Sequence, residues 1–181
     1  MSKQIVDYCA PTLAGLKTSS LFHYKFTSKK ELYNTVNSQN LLLNDKGVFL
    51  TILKIQNNSA LILVYRKALL QNILNQECIR EFLGKYNYKE FDIDSCLKTL
   101  RKHLNKKDFP HEIGVFLGYP LDDIKGFIEN KGQNSKCVGC WKVYNDVCSA
   151  KKAFRLFNKC TDVYQKKFSQ GTDILKLTVR T

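Results

Sequence analysis

Three residues carry most of the reactive chemistry in this sequence. Cys9 stands in Tyr8-Cys9-Ala10-Pro11-Thr12. Pro11 is suited to open a helical turn that Gly15 ends, which puts the thiol in a loop just ahead of a helix N-terminus. The partial positive charge there favours the nucleophilic thiolate. A cysteine nucleophile also needs a base, usually histidine. His103 lies beside Leu100 and Leu104 on a predicted helix, a structural position, and His23 sits in a β-like run. His111 follows Phe109-Pro110 and heads the apolar run Ile113 to Leu117, a rigid place for a functional side chain. The expected set is Cys9 as nucleophile, His111 and Glu112 as polar partners, and Tyr8, Thr12, Tyr119 and Trp141 as substrate-binding walls. The competing reading has Cys9 packed among apolar side chains and His111 facing solvent.

Other motifs carry less. Cys137-x-x-Cys140 has the spacing of a zinc, iron-sulfur or redox pair. A zinc site needs two more ligands, and Cys148 and Cys160 lie more than three turns apart on a predicted helix. The pair also precedes a strand, whereas redox pairs open helices. No metal site is therefore expected. Gly114-x-x-x-Gly118 falls inside a predicted strand and cradles no phosphate. Asp122 and Asp123 match the first turn of a helix and its dipole. No motif implies a particular cofactor.

These residues need elements to hold them. Ser28 is an N-cap for a helix to about Leu43, with Glu31 completing a capping box. Val48 to Gln56 and Ser59 to Arg66 are β-rich and joined by Asn57-Asn58, a two-residue hairpin turn. Both are apolar on both faces, as in covered central strands. Lys67 to about Asn75 and Gln76 to Leu83 read as helix. Asp92 or Asp94 caps a helix carrying Ile93, Leu97, Leu100 and Leu104. Leu21 to Phe26, Ile113 to Leu117, Trp141 to Tyr144 and Ile174 to Val179 read as strands. A helix follows Pro120, and Asp146 caps the longest, to about Phe168. Met1 to Lys17 reads as irregular or briefly helical. Strands and helices mix without a βαβ rhythm. The predicted fold is α+β, a mixed or mostly antiparallel central sheet of about five or six strands with helices packed on it, in a single domain over 1–181.

Composition narrows the partners. Of 181 residues 44% are hydrophobic, enough for a core and against disorder. No apolar run is long enough to span a bilayer, and the N-terminal residues hold no signal-like stretch, so no membrane insertion and a cytoplasmic location are expected. The seven cysteines are then expected as reduced thiols. The net charge of +13 raises nucleic acid as a partner. The excess is almost all Lys rather than Arg, the residue suited to bidentate phosphate and base contacts, which argues against it.

Cys9-Ala-Pro-Thr-Leu-Ala-Gly15, Phe109 through Gly126 and Trp141-Lys-Val-Tyr144 together resemble a bacterial family, the domain of unknown function DUF3793, over nearly the whole chain. The resemblance implies no established activity and tilts the reading toward redox or metal-linked roles. The chain departs from the family pattern twice. Tyr8 stands where histidine is frequent, so an imidazole role there does not carry over. Cys140 stands where tyrosine precedes the tryptophan, which weakens the Cys-x-x-Cys reading. The leading functional expectation is a thiol-centred site at Cys9, enzymatic or ligand-binding, acting on an unknown small molecule or protein. The alternative is a non-catalytic binding module for a protein partner or nucleic acid through the Lys-rich surface.

Overall fold

Helix α1 runs over Ser2–Leu13 in the computed structural model, which describes residues 1–106 and 108–180. Ile5, Val6, Cys9 and Leu13 form its buried stripe. Pro11 sits in its last turn rather than opening a helix, so Cys9 is on a helix and not in a loop. Gly15, at φ 76°, follows the helix end. β1 (Ser19–Lys25) comes next. Ser28 then caps α2 (Lys29–Leu43), accepting from the Glu31 amide at 3.2 Å. The Glu31 carboxylate reaches back to the Thr27 amide, 3.0 Å away, one residue before the capping-box position.

β2 (Val48–Gln56) and β3 (Ser59–Arg66) form the predicted hairpin. Asn57 and Asn58 both take positive φ, 48° and 55°, the conformation that lets a two-residue turn follow the strand twist. The sheet is antiparallel in the order β1-β3-β2, with an irregularity between Ile52 and Lys54. Successive β3 side chains alternate. Ala60, Ile62 and Val64 enter a core built with α1 and α2, while Leu61, Leu63 and Tyr65 face a second core built from the later helices. These are α3 (Lys67–Leu74), α4 (Glu77–Gly84) and α5 (Ile93–Leu104), the last capped by Asp92 on the Ser95 amide at 2.9 Å.

The expected strand at Ile113 to Leu117 is instead a buried helical turn, α6 (Ile113–Phe116). A short, wholly buried apolar run does not distinguish strand from helix by its pattern. Two features favour the turn. Gly114 lets α6 press against α7 (Leu121–Glu129), since a Cβ there would lie 2.9 Å from Ile124 Cγ1. Gly118, at φ 70°, allows the chain to reverse after it. β4 (Cys137–Val138) and β5 (Lys142–Val143) make a separate two-stranded ribbon. α8 (Val147–Ser169), capped by Asp146, packs along α1. The expected closing strand at Ile174 to Val179 is another helical turn, α9 (Ile174–Leu177), capped by Asp173. With both runs helical, the α+β class holds. The central sheet, however, has three strands and the ribbon two, rather than five or six in one sheet.

Candidate functional site

α6, α7 and the β4–β5 ribbon surround a cavity of about 320 Å³, which Leu21 of β1 and Phe109 complete. Its floor is apolar: Leu21, Ile113, Leu117 and Ile124. One wall is aromatic. The His111 ring lies 4.9 Å from Phe127 and 6.1 Å from Phe109. A second ring pair in the lining is Tyr119 and Trp141, stacked at 5.0 Å and 28°, with Phe154 of α8 edge-on to Trp141 at 4.5 Å.

A buried carboxylate fixes this wall. Trp141 donates its indole N–H to Asp123 Oδ2 at 2.7 Å, and the amides of Tyr144 and Asn145 donate to Oδ1 at 2.7 and 2.9 Å. Asp123 is 3% exposed, and these three donors compensate its burial. Because it sits in the first turn of α7, it ties helix, ribbon and α8 entry together. The Tyr119 hydroxyl donates to the Cys140 carbonyl at 3.1 Å. Lys142 Nζ donates to the Gly132 carbonyl at 2.6 Å and lies 5.8 Å from the Phe127 ring centre. Lys17 places its ammonium 5.4 Å from the Tyr119 ring centre. Burial lowers the Lys17 pKa, and the nearby thiols of Cys140 and Cys9 oppose that shift.

A second cavity, of about 350 Å³, shares Phe109 and His111 with the first. Glu112 faces this side, its carboxylate 2.6 Å from His103 Nδ1. Glu112 is 2% exposed. The Tyr88 ring stands edge-on to His103 at 5.4 Å. Burial, then the charge of Glu112, pushes the Tyr88 phenol well above its usual range.

The expected site residues therefore separate. His111, Tyr119 and Trp141 meet around the first cavity. Adjacent in sequence, His111 and Glu112 diverge, and Glu112 pairs with His103 instead. Cys9 is fully buried in the core on the other face of the sheet, with Ile5, Val6 and Leu13. It does not lie beside His111, because the sheet stands between them. Burial drives its pKa far up, against smaller opposing effects of Lys17 and a hydrogen bond with Ser20. Thr12 is buried nearby and shares a 2.9 Å hydrogen bond with Ser20. Tyr8 is exposed on α1 and stacks on Phe22 at 6.1 Å. Cys137 packs against the small core of Val143 and Phe154, while Cys140 is exposed at the ribbon turn. No group of three or more His, Cys, Asp or Glu side chains suited to a metal occurs among the described residues. Likewise, no helix among them is long and apolar enough to cross a membrane.

Three contributors escaped the sequence reading. Asp123 was read only as a helix-start acid, because its partner Trp141 lies 18 residues on and is brought to it by the fold. Phe127 lies at helical spacing from Ile124 on α7. His103 gave no signal, because its partner is brought to it by the chain reversal after α5.

The family comparison bears on the same stretches. The family model described as protein of unknown function (DUF3793) matches residues 5–178. The chain belongs to the DUF3793 family. The match takes in α1 from Ile5 on, both cavities and the ribbon, so the aromatic wall of this DUF3793 chain lies within the family domain. No curated protein and no solved structure matches it.

Proposed function

We propose that this DUF3793 protein binds a small, flat, mainly apolar molecule between Trp141–Tyr119 and His111–Phe127. The observation that carries the proposal is the first cavity. It has the size of small-molecule sites, an apolar floor, two aromatic walls and few polar groups. The polar groups of one wall are already engaged, Asp123 by three donors and Tyr119 by the Cys140 carbonyl. That wall is thus built before any ligand arrives, which limits the ordering cost of binding.

The thiol-centred reading has less support. Cys9 is sealed, and burial keeps its thiol protonated at neutral pH, whereas a nucleophilic cysteine needs the thiolate. The lysine-surface reading has less support as well. Exposed lysines occur on α1, α2, α5 and α8 rather than on one element.

Phenylnaphthylamine, a neutral flat apolar probe, tests the proposal. Its fluorescence should rise to saturation at one molecule per chain. Phe127→Ala should weaken binding about threefold to tenfold, the value of one aromatic contact. Non-saturating uptake, or equal binding by the variant, would count against the cavity.

A further inference from the structure

Resting on that reading, we infer that the ligand also carries one anionic group, a carboxylate, sulfonate or phosphate, received by the second cavity. A molecule lying against His111 borders both cavities, because His111 and Phe109 belong to each. The first is almost wholly apolar. The second is lined by Lys85, Lys106, His103 and His111 against the acids Asp108 and Glu112.

The two lysines and the two acids balance in number but not in placement. The Glu112 carboxylate is buried and takes the His103 ring as its partner, whereas the lysines stand at the exposed part of the lining. Lys85 and Lys106 have no carboxylate within 4.0 Å among the described residues. Two ammonium groups without ion-pair partners thus face a cavity whose more buried acid is already paired. His103 adds direction. Its Nδ1 is held by Glu112, and its Nε2 neither makes a hydrogen bond among the described residues nor is sealed from solvent. In the protonated imidazole both nitrogens are donors. An anion at Nε2 would then complete a chain from Glu112 through the ring to the ligand. A flat apolar body in the first cavity and an anionic head in the second is the ligand shape the two spaces fit together.

Anilinonaphthalene sulfonate is phenylnaphthylamine bearing one sulfonate, so the two probes differ only in the inferred group. At low salt the sulfonate should bind about tenfold more tightly than the neutral probe. That is the difference a gain of about 1.4 kcal/mol produces. The advantage should shrink with added salt. It should fall below about threefold in the Lys85→Gln, Lys106→Gln double variant, which should bind the neutral probe as before. Both lysines are exposed, so the exchange leaves the core intact. His103 is left unchanged because its removal would strand the buried Glu112 carboxylate. Equal binding of the two probes would overturn the anionic subsite while leaving the cavity reading intact. A sulfonate advantage that persists in the double variant would overturn it too. Failure of the neutral probe to bind would instead overturn the cavity reading.

Discussion

The Trp141 indole N–H meets the Asp123 carboxylate at 2.7 Å, and through this bond one wall of the cavity is fastened to helix α7. The other carboxylate oxygen holds the backbone at Tyr144 and Asn145. One side chain thus sets both the ring plane of Trp141 and the course of the chain into α8.

Asp123→Ala should therefore do two things. It should lower stability by about 2–4 kcal/mol, because buried donors to a charged acceptor lose their partner. It should also shift the emission of Trp141 toward that of a solvated indole. Urea unfolding followed by tryptophan fluorescence measures both. A wild-type midpoint with unchanged emission would contradict the role given to Asp123.

Arg66 is the second buried charge with a structural task. Its guanidinium donates to the carbonyls of Thr12, Leu13 and Val179, joining the end of α1 to the chain beyond α9. Arg66→Met should cost about 3 kcal/mol or more by leaving buried carbonyls without donors. Arg66→Lys should recover only part of this, since an ammonium lacks the planar fork. Thermal denaturation of both variants is the check, and a variant melting with the wild type would refute the assignment.

Cys9 should resist alkylation in the folded protein. Iodoacetamide at pH 8 should label Cys78 and Cys148, which are exposed, and reach Cys9 only once urea unfolds the chain. Peptide mass spectrometry reads the order of labelling. His111→Ala should leave the Cys9 rate unchanged, because the sheet separates the two residues. Labelling of Cys9 as fast as Cys78 would restore the thiol-centred reading.

Alkaline pH should destabilise the fold. Burial raises the pKa of Cys9 above its ordinary 9.0, and raises Tyr65, Cys96 and Tyr119 to about 12. The folded chain then keeps protons that the unfolded chain releases. Stability is fully present below pH 9.0 and falls as pH rises past it, by up to about 1.4 kcal/mol per pH unit from Cys9 alone. Lys17 acts in the opposite sense, because burial lowers its pKa below 10.5. It is one group against several. Urea midpoints between pH 8 and 10.5 should fall, and Cys9→Ala should reduce the slope. A rising midpoint would contradict the burial of these groups.

Much of the scaffold was legible because its signals are local. The caps at Ser28, Asp92 and Asp146 and the Asn57-Asn58 turn involve residues within a few positions of each other. The runs at Ile113 and Ile174 were misread as strands because a short buried run looks alike in either form. Met1 to Lys17 was read as irregular or briefly helical although it holds the helix Ser2–Leu13, and Pro11 was read as a beginning when it stands in the last turn. That displaced Cys9 into a loop and paired it with His111. Long-range meetings, such as Glu112 with His103 or Asp123 with Trp141, follow from chain reversals that no local pattern specifies. Three of the expected pocket residues nonetheless converge, since His111, Tyr119 and Trp141 flank the reversals that build the cavity.

Trp141 is the only tryptophan of the chain, and it lies in the cavity wall. Energy transfer from it to bound phenylnaphthylamine therefore reports occupation of this site directly. At saturation its emission should be quenched along the same curve as the probe's rise, with one molecule per chain. Probe binding that leaves Trp141 emission untouched would place the ligand elsewhere and contradict the account.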